Sequence, residues 1–222
     1  MKYLSEYRNL EETKKILDEI HKITMRVWNI MEICGGQTHS LVKNGILELL
    51  PEKIRMIHGP GCPVCVTPLN LIDKAIELLE QGVIVCSFGD MIRVPGSKKS
   101  LLEAKALGGD LRILYSPIEA VSIAKQNPHK EVVFFAVGFE TTTPPTAIIL
   151  EQAIILKLKN LFIFCNHVLT PPAIQGIMEP AKLANESILD GLIGPGHVSV
   201  VTGYTPYEKL AERYQVPIVI SG

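Results

Sequence analysis

Apolar residues along this chain come in short continuous runs rather than in strict alternation with polar ones. RVWNIMEI (26–33), KIRMIH (53–58), GVIVCS (82–87), LRILYS (111–116), EVVFFAV (131–137), LFIFCN (161–166), GLIG (191–194) and VPIVIS (216–221) are rich in β-branched and aromatic residues and end in Gly, Ser or Pro turns. Runs of this length and make-up predict strands. Between most of them the apolar period lengthens to that of a helix, over LNLIDKAIELLEQ (69–81), SLLEAKALGG (100–109), PTAIILEQAIILKLK (145–159) and TPYEKLAERYQ (205–215). Such alternation predicts parallel sheets covered by helices, because a parallel crossover needs a helix-length connection. Unbroken apolar runs also suit strands buried on both faces.

The pattern partly repeats. Sliding the chain by 135 residues places His58-Gly59-Pro60-Gly61-Cys62 over Ile193-Gly194-Pro195-Gly196-His197, and Val66-Thr67 over Val201-Thr202. Each copy then runs through a helix to a short apolar strand, VIVCS or PIVIS. The expected fold class is therefore α/β, with two similar three-layer units, parallel sheets flanked by helices and a cleft between them. The expected division is residues 1–127, carrying Cys34 and the Cys62/Cys65 pair, and residues 128–222, a second unit left open to being incomplete at its C-terminal end.

Composition narrows the classes. With 222 residues, 47% hydrophobic and 20% charged, the chain can bury a sizeable core. A formal net charge of −1 and the lack of any stretch combining clustered Lys/Arg with aromatics exclude a nucleic-acid footprint. The N-terminal MKYLSEYRNLEETKKILDEI is charged and amphipathic, unlike a signal peptide. No apolar run reaches the roughly 18 residues that span a bilayer, so no membrane association and a cytoplasmic location are expected. Five cysteines in a reducing compartment then read as reactive thiols, metal ligands or small core residues rather than as a disulfide framework.

In parallel α/β sheets ligands bind beyond the carboxyl ends of strands, and the unusual segments of this chain fall there. They are EICGGQTHS (32–40), HGPGCPVC (58–65), GFETTTPP (138–145) and IGPGHVS (193–199), with CNHVLTPP (165–172) a weaker fifth. Cys34 stands before Gly35, Gly36 and a helix start, a setting that stabilises a thiolate and lets backbone N–H groups approach an anion or a metal's ligands. Gln37, Thr38 and His39 add donors in the first turn; a small apolar Cys at a Gly turn is the plain alternative. Cys62 and Cys65 have thioredoxin-type spacing or that of half a zinc site, and with no second Cys-x-x-Cys in the chain redox is the better reading. The prolines and the glycines Gly59 and Gly61 would stiffen the loop so that two sulfurs join and part without moving the fold. Glu140 is read either as an acid or base beside the donors Thr141, Thr142 and Thr143, or as the acidic first turn of a capped helix. Cys86 and Cys165, inside apolar runs, are expected to be buried core residues. His39, His58, His167 and His197 all follow strands, whereas His21 and His129 read as surface residues. VPGSKKS, with Lys98 and Lys99, reads as a solvated helix start or an anion cradle. No phosphate-loop or dinucleotide fingerprint occurs.

Taken together, EICGGQTHS, HGPGCPVCVTP, FGDMIRVPGS, VGFETTTPPTA, NHVLTPPA and GPGHVSVVTG resemble the HypD family of NiFe-hydrogenase maturation proteins, in the same order and over essentially the whole chain. The resemblance implies a scaffold on which iron receives cyanide and carbon monoxide, as an Fe(CN)2CO moiety, in complex with a HypC-type chaperone and visited by a HypE-type cyanide donor. It implies that Cys34 contacts iron together with ligands from HypC, that Cys62 and Cys65 are the redox pair, and that His39, Glu140 and His197 occupy motif positions in the cleft. It also implies a cysteine-rich C-terminal region ligating a 4Fe-4S cluster, whose ligands are not among these residues. Two rival functions remain: a thioredoxin-like thiol-disulfide oxidoreductase using Cys62/Cys65 alone, and a two-lobed small-molecule binding protein with incidental cysteines.

Overall fold

The computed structural model describes residues 9–184 and 186–221. All eight strands expected from the apolar runs are present: β1 (Trp28–Glu32), β2 (Ile54–His58), β3 (Ile84–Phe88), β4 (Leu111–Leu114), β5 (Val132–Gly138), β6 (Leu161–His167), β7 (Gly191–Pro195) and β8 (Ile218–Ser221). The helices are α1 (Leu10–Ile23), α2 (Gly35–Lys43), α3 (Ile46–Leu49), α4 (Leu69–Glu80), α5 (Leu101–Ala106), α6 (Glu119–Gln126), α7 (Thr143–Ile155), α8 (Thr170–Leu183), α9 (Gly196–Thr202) and α10 (Thr205–Tyr214). Among the described residues no helix is long and apolar enough to cross a membrane.

The strands form two parallel four-stranded sheets, ordered β2-β1-β7-β8 and β4-β3-β5-β6. Two units follow, but not as residues 1–127 and 128–222. One takes the residues up to Gly61, Ile174–Ser199 and those from Gly203 onward; the other takes Cys62–Ala173 and Val200–Thr202. The second unit is thus inserted into the first, between β2 and β7. Counted within its own unit, each sheet has the order second, first, third, fourth. The units are similar, as expected, yet the expected pairing of segments is corrected. Both Gly-Pro-Gly segments lie in one sheet, after β2 and β7 on either side of β1, while VIVCS (β3) and PIVIS (β8) belong to different sheets.

In the inserted unit the central strand β5 is buried over Val132–Val137. Adjacent residues of a strand face opposite ways, so Phe135 and Val137 pack with Ile72, Leu79 and Leu101 from α4 and α5, whereas Phe134 and Ala136 pack with Ala120 and Ile149 from α6 and α7. That two-sided burial is why the run VVFFAVG shows no polar alternation. In the other unit Met31, Ile33 and Leu192 pack on one sheet face with Ile174, Met178, Tyr207 and Leu210 from α8 and α10. Glu32 occupies the opposite face and is wholly buried.

Two expected core cysteines part company. Cys86 is fully buried, and burial pushes its thiol pKa up to about 12. Cys165 is exposed. β6 is an edge strand, and Leu161 and Ile163, on the same face as Cys165, are the residues that pack in the core.

Candidate functional site

A parallel sheet ordered second-first-third-fourth has a crevice where its connections diverge, beyond the carboxyl ends of its first and third strands. In the unit built on β2-β1-β7-β8 those strands are β1 and β7. The residues that follow them are Cys34 and the Gly-Pro-Gly-His run ending at His197. Both line a pocket of about 350 Å³ with Gly36, Gln37, Leu41 and Ile193.

Cys34 is the N-cap residue of α2, with extended backbone (φ −106°, ψ 134°). Its carbonyl accepts from the Gln37 and Thr38 N–H groups at 2.9 and 3.3 Å. α2 therefore starts immediately after Cys34. Gln37 holds this arrangement. Its Oε1 accepts from the Cys34 N–H at 3.1 Å, and its Nε2 donates to Gly194 O at 3.0 Å and Ser221 O at 2.8 Å. One amide thus joins the ends of β1, β7 and β8 with every donor used.

Behind Cys34 lies Glu32. Its Oε1 accepts from Thr38 Oγ1 at 2.8 Å and is paired with His58 Nδ1, while Oε2 has no hydrogen-bond partner among the described residues. Glu32 and His58 are register partners on β1 and β2, so the sheet itself sets this couple. The close fit continues beyond the strands. Gly59 N–H donates to Glu32 O at 2.9 Å and Gly61 N–H to Ile33 O at 3.2 Å. A Cβ on Gly59 would lie 2.4 Å from Glu32 O, and Gly61 has φ +80°. These two glycines are required by close approach and by the left-handed backbone respectively. Gly35 is the first residue of α2.

The structure places the other expected residues elsewhere. His39 is exposed on α2 and does not line the pocket. Cys62, Cys65, Glu140 and Thr141 belong to the inserted unit. There Cys62-Pro63-Val64-Cys65 forms a turn closed by Cys65 N–H to Cys62 O at 2.9 Å. Thr67 Oγ1 donates to Pro63 O at 2.8 Å and accepts from Asn166 Nδ2 at 3.0 Å, tying the turn to β6. All five cysteines are free thiols; Cys62 is partly exposed and Cys65 exposed.

Glu140 is a cap, though not of its own helix. Its two carboxylate oxygens accept from the Thr170 N–H at 2.6 Å and Thr170 Oγ1 at 3.1 Å, both buried, at the start of α8. Thr141 makes no part of that contact and is half-buried. Lys98 and Lys99 follow Ser97, whose N–H and hydroxyl donate to Asp73; those hydrogen bonds hold the Asp73 carboxyl below its usual range. Asp73 takes up the anion-binding capacity of that loop.

Glu32 was the functional residue that sequence reasoning passed over, and a lone carboxylate inside the apolar run VWNIMEI was its visible sign. Ser221 left no comparable trace. Among the described residues no three His, Cys, Asp or Glu side chains gather as a metal site. The chain therefore offers a thiol and an imidazole at one pocket rather than a closed coordination shell. That donor set suits a metal whose remaining positions are filled by other ligands.

A family model described as "HypD: Hydrogenase formation hypA family" matches residues 11–222. The chain belongs to the HypD family. It is 51% identical over 227 residues to "Hydrogenase maturation factor HypD" of Azotobacter vinelandii, covering 100% of this chain and 60% of that relative. It is likewise 51% identical over 227 residues to "Hydrogenase expression/formation protein HupD" of Azotobacter chroococcum mcd 1, again covering 60% of the relative. Against "Hydrogenase maturation factor HypD" of Escherichia coli K12 the identity is 42% over 230 residues, with 61% of the relative covered. The chain thus spans about 60% of the length of the HypD relatives it matches.

Proposed function

We propose that this chain is the part of a hydrogenase maturation factor that holds iron while it acquires diatomic ligands, as the Fe(CN)2CO moiety, with a HypC-type chaperone and a HypE-type cyanide donor as partners in the cytoplasm. The observation that carries the reading is the pocket beyond β1 and β7, lined by both Cys34 and His197, while among the described residues no three His, Cys, Asp or Glu side chains gather as a closed metal site. Iron here is cargo. A site that must release its metal benefits from few protein donors, and cyanide and carbon monoxide, with a ligand from the partner, complete the coordination of a low-spin ferrous ion.

Cys34 binds as the thiolate, so its proton leaves when iron arrives. The N-terminus of α2 stabilises the negative sulfur, and Gln37 keeps the Cys34 backbone fixed against β7 and β8. Glu32 holds Nδ1 of His58 and thereby the orientation of that ring. Cys62 and Cys65 supply electrons. Their oxidation from dithiol to disulfide releases two electrons and two protons, which matches the reductive delivery of a cyano group. The stiff turn around them, pinned through Thr67 and Asn166, keeps that change local.

Anaerobic co-expression with HypC-type and HypE-type proteins, followed by purification through a tag on this chain and iron analysis, tests the reading. Iron should co-purify with the wild-type chain and the HypC-type protein and be lost in Cys34→Ala without loss of the partner. Equal iron in Cys34→Ala would overturn it. Generic disulfide reductase activity that needs Cys62 and Cys65 but not Cys34 would favour the thioredoxin-like function instead.

A further inference from the structure

Cys165 and His167 stand two residues apart on β6 and so project from the same sheet face. Cys165 Sγ lies 3.3 Å from His167 Nδ1. On the far side of the ring, His167 Nε2 lies 3.5 Å from Thr146 Oγ1, a buried hydroxyl on α7. Thr146 Oγ1 also bonds the carbonyl oxygen of Thr142 at 2.8 Å.

The direction of this chain of contacts can be deduced. A hydroxyl carries one hydrogen, and a carbonyl oxygen can only accept, so Thr146 gives its hydrogen to Thr142 O. Toward His167 it can then only accept, which requires the hydrogen of the neutral ring to be on Nε2. Nδ1 is left with its lone pair directed at the thiol. Burial also lowers the His167 pKa from its usual value, so the ring is neutral and able to take a proton near pH 7. Thr142, Thr146 and His167 therefore set up the tautomer that a base beside a thiol needs, and Cys165 itself is open to solvent.

We propose that Cys165 is a covalent modification site, a thiol activated by His167 for exchange with low-molecular-weight disulfides. The Cys165 proton passes to His167 Nδ1 and the thiolate attacks one sulfur of the disulfide. A new sulfur–sulfur bond forms to Cys165 as the old one breaks, and the departing thiolate recovers the proton from His167. The balance is protein thiol plus disulfide giving protein mixed disulfide plus one free thiol, with no other oxidant. The proposal does not depend on the function proposed for Cys34, Cys62 and Cys65.

Glutathione disulfide is the probe, added to the full chain at pH 7, with each cysteine followed by peptide mass mapping. A mixed disulfide should form at Cys165, and in His167→Gln its rate should fall about tenfold, because only the spontaneously ionised fraction of the thiol then reacts. Thr146→Val, which removes the acceptor and keeps the shape, should give an intermediate rate. Between pH 6 and 8 the wild-type rate should rise less steeply than that of His167→Gln. Cys86 reports folding, since it is buried and its thiol is protonated unless the unit opens. Absence of the mixed disulfide at Cys165 in the wild type, or equal rates in wild type and His167→Gln, would overturn the proposal. Should Cys86 become labelled in His167→Gln, Thr146→Val decides alone, and a wild-type rate there refutes the relay.

Discussion

Beyond β1 and β7 the chain leaves a thiol and an imidazole on a pocket; at the corresponding place in the inserted unit, beyond β3 and β5, it leaves none. There the Asp90 carboxylate accepts from the Met91 N–H at 2.8 Å, Met91 is fully buried, and Glu140 is used by Thr170 at the head of α8. The same strand order creates the same crevice in both units. What separates them is the disposition of polar atoms. Beyond β3 and β5 side-chain acceptors are spent on backbone N–H groups, which stabilises the fold. In the other unit backbone groups are satisfied by Gln37, so that the sulfur of Cys34 and the ring of His197 remain on the pocket wall. Beyond β3 and β5 the polar side chains serve as caps; beyond β1 and β7 they line a pocket.

Substitutions sharpen this contrast. The largest effect should come from Gly59→Ala, because the added carbon would sit 2.4 Å from a backbone oxygen that cannot rotate away. A loss of roughly 3 kcal/mol in urea denaturation is expected, from overpacking and backbone shift. Gly194→Ala meets only the flexible end of Ile220, at 2.7 Å, and should cost clearly less. Equal losses would mean that the two Gly-Pro-Gly segments are not held differently.

Next is Glu140→Ala, expected to destabilise by about 2 kcal/mol because it strands the buried Thr170 donors. The alkylation rate of Cys34 by iodoacetamide should not change. A change in that rate would show that Glu140 acts on the pocket rather than on α8. Gln37→Ala should cost roughly 1–2 kcal/mol and also alter that alkylation rate, since it frees the Cys34 backbone together with the ends of β7 and β8. Stability loss with an unchanged rate would make Gln37 merely a strand clip.

The smallest effect concerns pH. The Asn29 N–H, and after it the Arg26 guanidinium, hold Asp190 below the usual carboxylate range. A depressed folded pKa means stability that is complete above the unfolded value of about 3.9 and lost as pH falls through the lower folded value. Asp190→Asn should therefore be less stable than wild type by about 1 kcal/mol at neutral pH, and the difference should vanish once the pH falls below the folded value. A difference that persists in acid would show that the ionised carboxylate is not what binds β1 to the start of β7.

Much of the fold was legible because every strand is a run of apolar residues bounded by turn residues, a local signal. Which strand lies beside which was not. β1 pairs with β7 across the whole inserted unit, and no local pattern announces an insertion. Sharing of Gly-Pro-Gly suggested equivalent positions in two units, yet both copies lie in one sheet, where Gly59 is required by a β1 backbone oxygen and Gly194 faces Ile220 of β8. The importance of Cys34 could be read from the glycines and helix start that follow it. Gln37 as a three-way clamp could not, because two of its partners are carbonyls 157 and 184 residues away. Glu140 was legible as a cap, but only the tertiary structure shows that it caps α8. Cys165 was misread because apolar neighbours in sequence say nothing about which end of an edge strand its helix covers.

Infrared spectroscopy gives the most direct test of the central claim that the β1/β7 pocket carries the iron cargo. The chain would be isolated anaerobically with the proposed HypC-type and HypE-type partners as wild type, Cys34→Ala and Glu140→Ala. Cyanide and carbon monoxide stretching bands should be present in the wild type, absent in Cys34→Ala and present in the folded fraction of Glu140→Ala. Bands that persist unchanged in Cys34→Ala would contradict the claim and place the cargo away from this thiol.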